Sequence, residues 1–364
     1  MLSTIKEIDI FGKDITLTYN KTNQFKTYLG GMCSAVLIAL VLTYSSFLTR
    51  TLILRNNIVY SSNNVVRDLT VDTSAHSVSQ YGFDFAVGIR SRPSINFFGP
   101  LLESTVQLKM YQNRYDLNQS GERVFSKQEL EYVRWEDNFP FEDRKLIINN
   151  NIDMYACAKT QDYLIGGNWY ADESAYVSIE LSKWVEDIDG GVVCDEDEVI
   201  NDFVSTLDID VVLIDSYFDI DSFRSPIGSF LTENYYYNIV PGFTKASFLY
   251  LKENEVETVD SVLGIGDTYH DKFYSVSDEV RDIKSEYNDL FVDIRLILDP
   301  EKTEHKRSVF SIFDVIAQIG GFFGAFSSII GLILGSYIEK LLHYSILRRW
   351  YQIKDYPKYV DSSL

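Results

Sequence analysis

TYLGGMCSAVLIALVLTYSSFLT, residues 27–49, is a run of 23 residues without a charge, set between Lys26 and Arg50. VIAQIGGFFGAFSSIIGLILGSYI, residues 315–338, repeats the pattern over 24 residues, between Asp314 and Glu339. At about 1.5 Å rise per residue, either run as a helix reaches about 35 Å, enough for a hydrocarbon core of about 30 Å. No stretch between them repeats the pattern. The chain therefore reads as an integral membrane protein in which two transmembrane α-helices flank one large domain. Two crossings leave both termini on the same side of the bilayer.

The expected organisation follows from these boundaries. Residues 1–26 form a cytosolic N-terminal segment, 27–49 the first transmembrane helix and 50–307 an exoplasmic domain. Residues 308–314 are an interfacial lead-in rich in apolar side chains, 315–338 the second helix and 339–364 a cytosolic tail. The orientation rests on a small excess of Lys and Arg on the terminal flanks, which positive-inside logic places in the cytosol. The choice among plasma, ciliary and internal membranes stays open. The first run starts late and lacks a small-residue cleavage site, so it reads as a signal anchor rather than a removable signal.

A mean hydropathy of −0.08 conceals the two spans, because a polar, acidic middle offsets them. Residues 51–307 hold 46 of the 53 acidic residues and 23 of the 33 basic ones, a net charge of −23. Phosphate backbones would be repelled, so nucleic acid is excluded as a partner. The middle alternates apolar and polar side chains with period two. Phe83, Phe85 and Val87 share one face of a strand, as do Val177, Ile179 and Leu181, and Val292, Ile294 and Leu296. Leu52–Tyr60, Thr105–Tyr111, Leu207–Ile214 and Phe243–Leu251 are further strand candidates. The pattern predicts a mainly antiparallel β domain. Asp195–Leu207, with an acidic first turn, is the one clear helix within it.

Chemistry-bearing groupings are sparse. The four histidines are scattered, and none stands at metal-ligand spacing with Cys or Glu. No nucleophile-and-base pairing, phosphate loop or zinc-protease motif occurs, so neither an enzyme nor a cofactor or resident metal is expected. The acidic stretch around Gly190-Gly191 reads as a solvated loop. The alternative is a loose cation site at Asp187, Asp189 and Glu196, since Val185 stands where a calcium loop needs its first ligand. Cys157 and Cys194 are a candidate disulfide in an exoplasmic compartment, the alternative being two buried thiols. Asn118-Gln119-Ser120 is the domain's one acceptor triplet for N-glycosylation, while Asn20-Lys21-Thr22 falls on the cytosolic side.

Within the membrane the informative residues are small. Gly31, Ala35 and Ala39 recur every four residues in the first span. Gly320, Gly324, Ser327, Gly331 and Gly335 form a comparable row in the second. Such rows let helix backbones approach closely in lipid, where the hydrophobic effect does not drive association. They predict packing between the two spans, or against copies or partners.

The motifs Asp9-Ile10-Phe11-Gly12-Lys13, Lys26-Thr27-Tyr28-Leu29-Gly30-Gly31 and Gln318-Ile319-Gly320-Gly321 resemble a large family of ciliate two-pass transmembrane proteins. Cys157-Ala158, Gly166-Gly167-Asn168-Trp169 and Tyr176–Leu181 extend that likeness into the middle. More distantly, the layout resembles the cargo receptors of the ER–Golgi intermediate compartment, which implies a β-rich lumenal domain that binds protein cargo. The function expected is non-enzymatic: the exoplasmic domain binds a protein partner or cargo, and the helices mediate assembly as a homo- or hetero-oligomer in the lipid bilayer. The Ile319-Gly320-Gly321…Gly324 entry also resembles the second span of degenerin and epithelial sodium channels. With the acidic middle domain, it supports the alternative of a subunit in an oligomeric two-transmembrane cation channel.

Overall fold

The computed structural model describes residues 13–19, 22–91, 96–98, 101–102, 106–138, 152–159, 163–183, 197–263, 266, 268–284 and 289–351. In chain order, a hairpin of β1 (Lys13–Tyr19) and β2 (Thr22–Phe25) precedes helix α1 (Tyr28–Leu54). Then come β3 (Ile58–Val66), β4 (His76–Ser77), β5 (Asp84–Ser91), β6 (Asn96–Phe98), β7 (Leu101–Leu102), β8 (Val106–Leu117), β9 (Arg123–Leu130) and β10 (Tyr132–Arg134). The short helix α2 (Trp135–Asn138) leads to β11 (Ala156–Ala158), β12 (Leu164–Ile165) and β13 (Ser174–Lys183). Helix α3 (Asp197–Val204) is followed by β14 (Leu207–Phe218), β15 (Ile227–Asn238), β16 (Thr244–Val259), β17 (Tyr269–Lys284), β18 (Leu290–Val309) and helix α4 (Ile312–Trp350). These fall into two compact units. One is Met1–Val59 with Val259–Asp267 and Ser308–Leu364. The other is Tyr60–Thr258 with Thr268–Arg307.

In the first unit both long helices begin at side-chain caps. Thr27 Oγ1 accepts the Gly30 N–H at 3.0 Å. Ser311 and Asp314 form a reciprocal capping box, which satisfies N–H groups that have no partner within the helix. α1 thus starts with its uncharged run and α4 one turn ahead of its own, and both continue past the runs. α1 crosses Arg50 and stops at Arg55, whose backbone turns left-handed (φ 51°) ahead of Asn56-Asn57. Only from Ile58 is the chain a strand, so the expected strand over Leu52–Tyr60 is helical over its first three residues and a strand only over its last three. α4 runs 12 residues beyond Ile338 on a sequence of helix formers, to Arg348 and Arg349 in its last turn, where positive charge suits the helix dipole. Residues 308–314 hold the end of β18, a two-residue link and the first turn of α4.

The helices run antiparallel. Leu48 and Leu52 of α1 cluster with Phe310 and Val315. The Tyr44 ring stacks on Phe322 at 4.7 Å, and its hydroxyl donates to Gln318 Oε1 at 3.1 Å. A second buried patch lies at the other end, with Gly30, Gly31, Ser34 and Leu37 on α1 and Leu334, Ile338 and Leu342 on α4.

The second unit is a sandwich of two sheets. One sheet runs β17–β16–β18–β13–β8–β7, with β3 also on β18 and β9 also on β8. The other runs β10–β11–β5–β14–β15, with β6 on β5. Described pairings are antiparallel; β13, for example, sets Val177 against Leu296 on one side and Gln112 on the other. The facing rows are those with period two in the sequence. Phe85, Val87 and Ile89 meet Ile209, Val211, Leu213, Val177, Ile179, Leu181, Val292, Ile294 and Leu296 in one core. β5 is buried on both faces, because Trp135, Ile152, Tyr155 and Cys157 cover its outer side at Ala86. Gly88 is needed there, since a Cβ would sit 2.4 Å from the Tyr155 ring.

Candidate functional site

The turn between β12 and β13, Gly166-Gly167-Asn168-Trp169-Tyr170, builds a preformed recess on the sandwich. Gly166 bridges to Ala175 through two 2.9 Å backbone hydrogen bonds, and a Cβ on it would meet Ser74 O at 2.4 Å. Gly167 takes φ +61°, with Glu173 O where its side chain would begin. Asn168 Oδ1 then accepts the N–H groups of Tyr170 (2.9 Å) and Ala171 (3.0 Å), which closes the turn. The outcome is to raise Trp169 and Tyr170 over β13, β16 and β18.

Trp169 is wedged from below. It packs on Tyr176 at 5.0 Å and edge-on to Phe248 at 6.5 Å. Arg295, held by Asp293 (Nε–Oδ2 2.9 Å), faces the Trp169 ring at 5.4 Å. Arg123 straps the turn from outside, donating to Trp169 O at 2.7 Å and to Ser174 Oγ at 3.3 Å while lying 3.9 Å over the Tyr115 ring. Burial pushes the Tyr176 phenol up to about 12, so it stays neutral. The recess measures about 200 Å³ and is lined by Leu69, Trp169, Tyr170, Tyr176, Tyr250, Ile297, Leu298 and Pro300. Tyr170 stands 86% exposed at its rim. Asp68, Asp172 and Glu173 are exposed beside lining residues in the sequence. An apolar floor and aromatic walls suit an apolar side chain.

A second, wider groove of about 510 Å³ lies over β16, β17 and β18. Its lysines and two of its glutamates are held in ion pairs. Glu253, buried, meets Arg67 at 2.5 Å and Lys272 at 2.9 Å, Glu255 meets Lys272 and Lys302, and Glu257 meets Lys306. His305 stacks among Tyr60, Phe218 and Phe273 at 5.4–6.2 Å, with Tyr60 Oη 2.9 Å from its Nδ1. Burial and Lys252 hold its pKa below the ordinary imidazole value, so the ring is neutral at pH 7. No group of three metal-ligating side chains occurs among the described residues.

The residues singled out in the sequence are placed as follows. Gly31 is buried on α1, whereas Ala35 and Ala39 are exposed. Gly320, Gly324, Gly331 and Gly335 face open space, since a Cβ on any of them meets nothing within 4 Å. Ser327 donates to Gly324 O of its own helix. The second span's glycine row therefore does not pack on the first span within one chain. Contact between the helices uses Leu48, Leu52, Val315 and the Tyr44–Phe322 stack instead. Cys157 is a buried free thiol with Asn138 Nδ2 3.7 Å from its sulfur. Its expected partner Cys194 lies outside the described residues, as do Asp187, Asp189 and Glu196. Asn118 is exposed at the β8–β9 turn.

A family profile, the uncharacterised 80 kDa protein N-terminal domain, matches residues 86–299, from within β5 to within β18. Comparison with curated proteins gave no match. Among solved structures, the chain is similar to a proton-activated chloride channel seen by cryo-EM. Identity is 13%, coverage 85% of this chain and 95% of that one, and the TM-score 0.30. It is also similar to Erv41p, with 12% identity, coverage of 68% and 99%, and a TM-score of 0.24. At these scores neither likeness decides a function.

Proposed function

We propose that this chain, which belongs to the uncharacterised 80 kDa protein N-terminal domain family, is a non-enzymatic two-pass membrane protein whose β domain binds a protein partner. The observation that carries this reading is the rigid aromatic recess at Trp169 and Tyr170. Its Trp169 turn is fixed by glycine geometry and hydrogen bonds, and its Tyr176 and Tyr250 walls by the sheet, so binding an apolar anchor costs little reordering. The net negative charge of the domain, with Asp68, Asp172 and Glu173 exposed next to lining residues in the sequence, favours basic segments, through on-rate more than through affinity. In this reading the domain is exoplasmic and both termini are cytosolic. The resemblance of the terminal motifs to ciliate two-pass proteins and to ER–Golgi cargo receptors belongs to the same reading.

The test is titration of the purified full chain in detergent with peptides. Basic peptides bearing one Trp, Phe or Leu should bind, acidic and anchor-free ones should not, and Trp169→Ala should weaken binding about tenfold or more, as expected of a central aromatic anchor. Equal binding by all classes, or no effect of Trp169→Ala, sinks the idea.

A second reading concerns the helices. The open row Gly320, Gly324, Gly331 and Gly335 supports either assembly with another chain or the lining of a conduction path in a cation channel. Native mass measurement of the extracted protein separates a lone chain from a homo- or hetero-oligomer, and bilayer recording tests conduction.

A further inference from the structure

We propose that Asn118 carries an N-linked glycan and that Asn20 does not. The chain holds two Asn-x-Ser/Thr triplets, Asn20-Lys21-Thr22 and Asn118-Gln119-Ser120. A single membrane helix, α1, separates them. They therefore lie on opposite sides of the bilayer, and at most one can meet a lumenal transferase. The choice of Asn118 rests on the exoplasmic orientation proposed above.

The geometry at Asn118 is that of an accessible acceptor. β8 ends at Leu117 and β9 begins at Arg123, so the triplet forms the tip of a hairpin. Every residue from Leu117 to Glu129 is exposed. Asn118 Oδ1 accepts the N–H groups of Ser120 and Glu122, each at 2.9 Å. These two bonds hold the carboxamide oxygen toward the turn, which fixes the plane in which Nδ2 is presented. Gly121, at φ +79°, closes the turn, and its N–H donates to Asn118 O at 3.0 Å. Nδ2 has one contact, to exposed Glu122 Oε2 at 3.3 Å, which solvent can replace. The Ser120 hydroxyl that the triplet requires is exposed as well.

The co-reactant is an oligosaccharide linked to a lipid through a diphosphate. A bond forms between its anomeric carbon and Asn118 Nδ2, and the bond from that carbon to the diphosphate oxygen breaks. The lipid diphosphate leaves with the electron pair, and Nδ2 gives up one proton.

The experiment uses the full chain made in eukaryotic cells and run on a gel with and without peptide N-glycosidase. Wild type and Asn20→Gln should each drop by one mobility step on digestion. Asn118→Gln and Ser120→Ala should run at the digested position and not move. Ser120→Ala leaves Asn118 and both backbone hydrogen bonds in place, so loss there does not reflect a broken turn. A shift that survives in Asn118→Gln, or no shift in wild type, overturns the proposal. Protease digestion of sealed microsomes then tells whether the orientation falls with it. A protected β domain without a shift refutes the glycan alone. A shift abolished by Asn20→Gln refutes both.

Discussion

Asp84 and Glu253 are both buried carboxylates, and their surroundings drive them in opposite directions. Burial raises Asp84 to about 6, against the pull of the Trp135 indole (3.1 Å) and the Phe85 N–H (2.8 Å). Burial also pushes Glu253 up, but Lys272 and Arg67 outweigh it and hold that carboxyl below its ordinary value. A group whose folded pKa lies above its unfolded one disfavours the fold once ionised. Stability should therefore rise as pH falls from 7 through 6 toward 4.5, by about 2 kcal/mol from Asp84. Asp84→Asn should flatten that slope, as read by urea unfolding with Trp fluorescence. Below about 4.5, protonation of Glu253 reverses the trend, because its contribution exists only above that range. Glu253→Gln should cost about 3 kcal/mol, the scale of breaking a buried ion pair. Arg67 already has Nε and Nη2 buried with no hydrogen-bond partner among the described residues, and the variant would strip it further. A loss under 1 kcal/mol in the same unfolding assay would contradict this. Neither environment is legible locally. Arg67 and Glu253 stand 186 positions apart, and only sheet order brings them together.

At the scale of elements, the sequence was most readable where one rule governed. Both spans, and the inward rows of β5, β13 and β18, follow from hydropathy period alone. The ends of the helices were not readable that way, because a charge such as Arg50 stops burial in lipid without stopping a helix. β5 shows the converse. Its outer face looks mild in sequence, yet Ala86 and Gly88 are small because the 152–157 segment lies on them. Gly88→Val should therefore displace Tyr155, break its 3.0 Å hydrogen bond to Asp210 and cost about 1–3 kcal/mol in unfolding experiments. An unchanged midpoint would show that the ring moves freely. The recess was legible only in part. Two glycines before Asn168-Trp169 mark a special turn, but Tyr176, Tyr250 and Pro300 reach it from three separate strands.

At the scale of the whole molecule, the open glycine row of α4 is where the proposed assembly can be tested. Gly324→Leu and Gly331→Leu fill open space within one chain, so the monomer should stay folded. Any oligomer should shift toward monomer in native mass spectra, and a species distribution unchanged from wild type would exclude this face from assembly. β18 carries a further consequence, for the order of synthesis. It is the strand to which β3, β13 and β16 all pair, yet it is the last of the described strands to be made. β3 leaves the ribosome more than two hundred residues before its partner. At elongation rates of about 5–20 residues per second, that is a wait of tens of seconds or so. During that interval most of one sheet has no centre, and its apolar rows stand uncovered. Such non-local closure is slow. The domain should therefore depend on chaperones until residue 309 has emerged, and chains truncated before β18 should be degraded rather than stored.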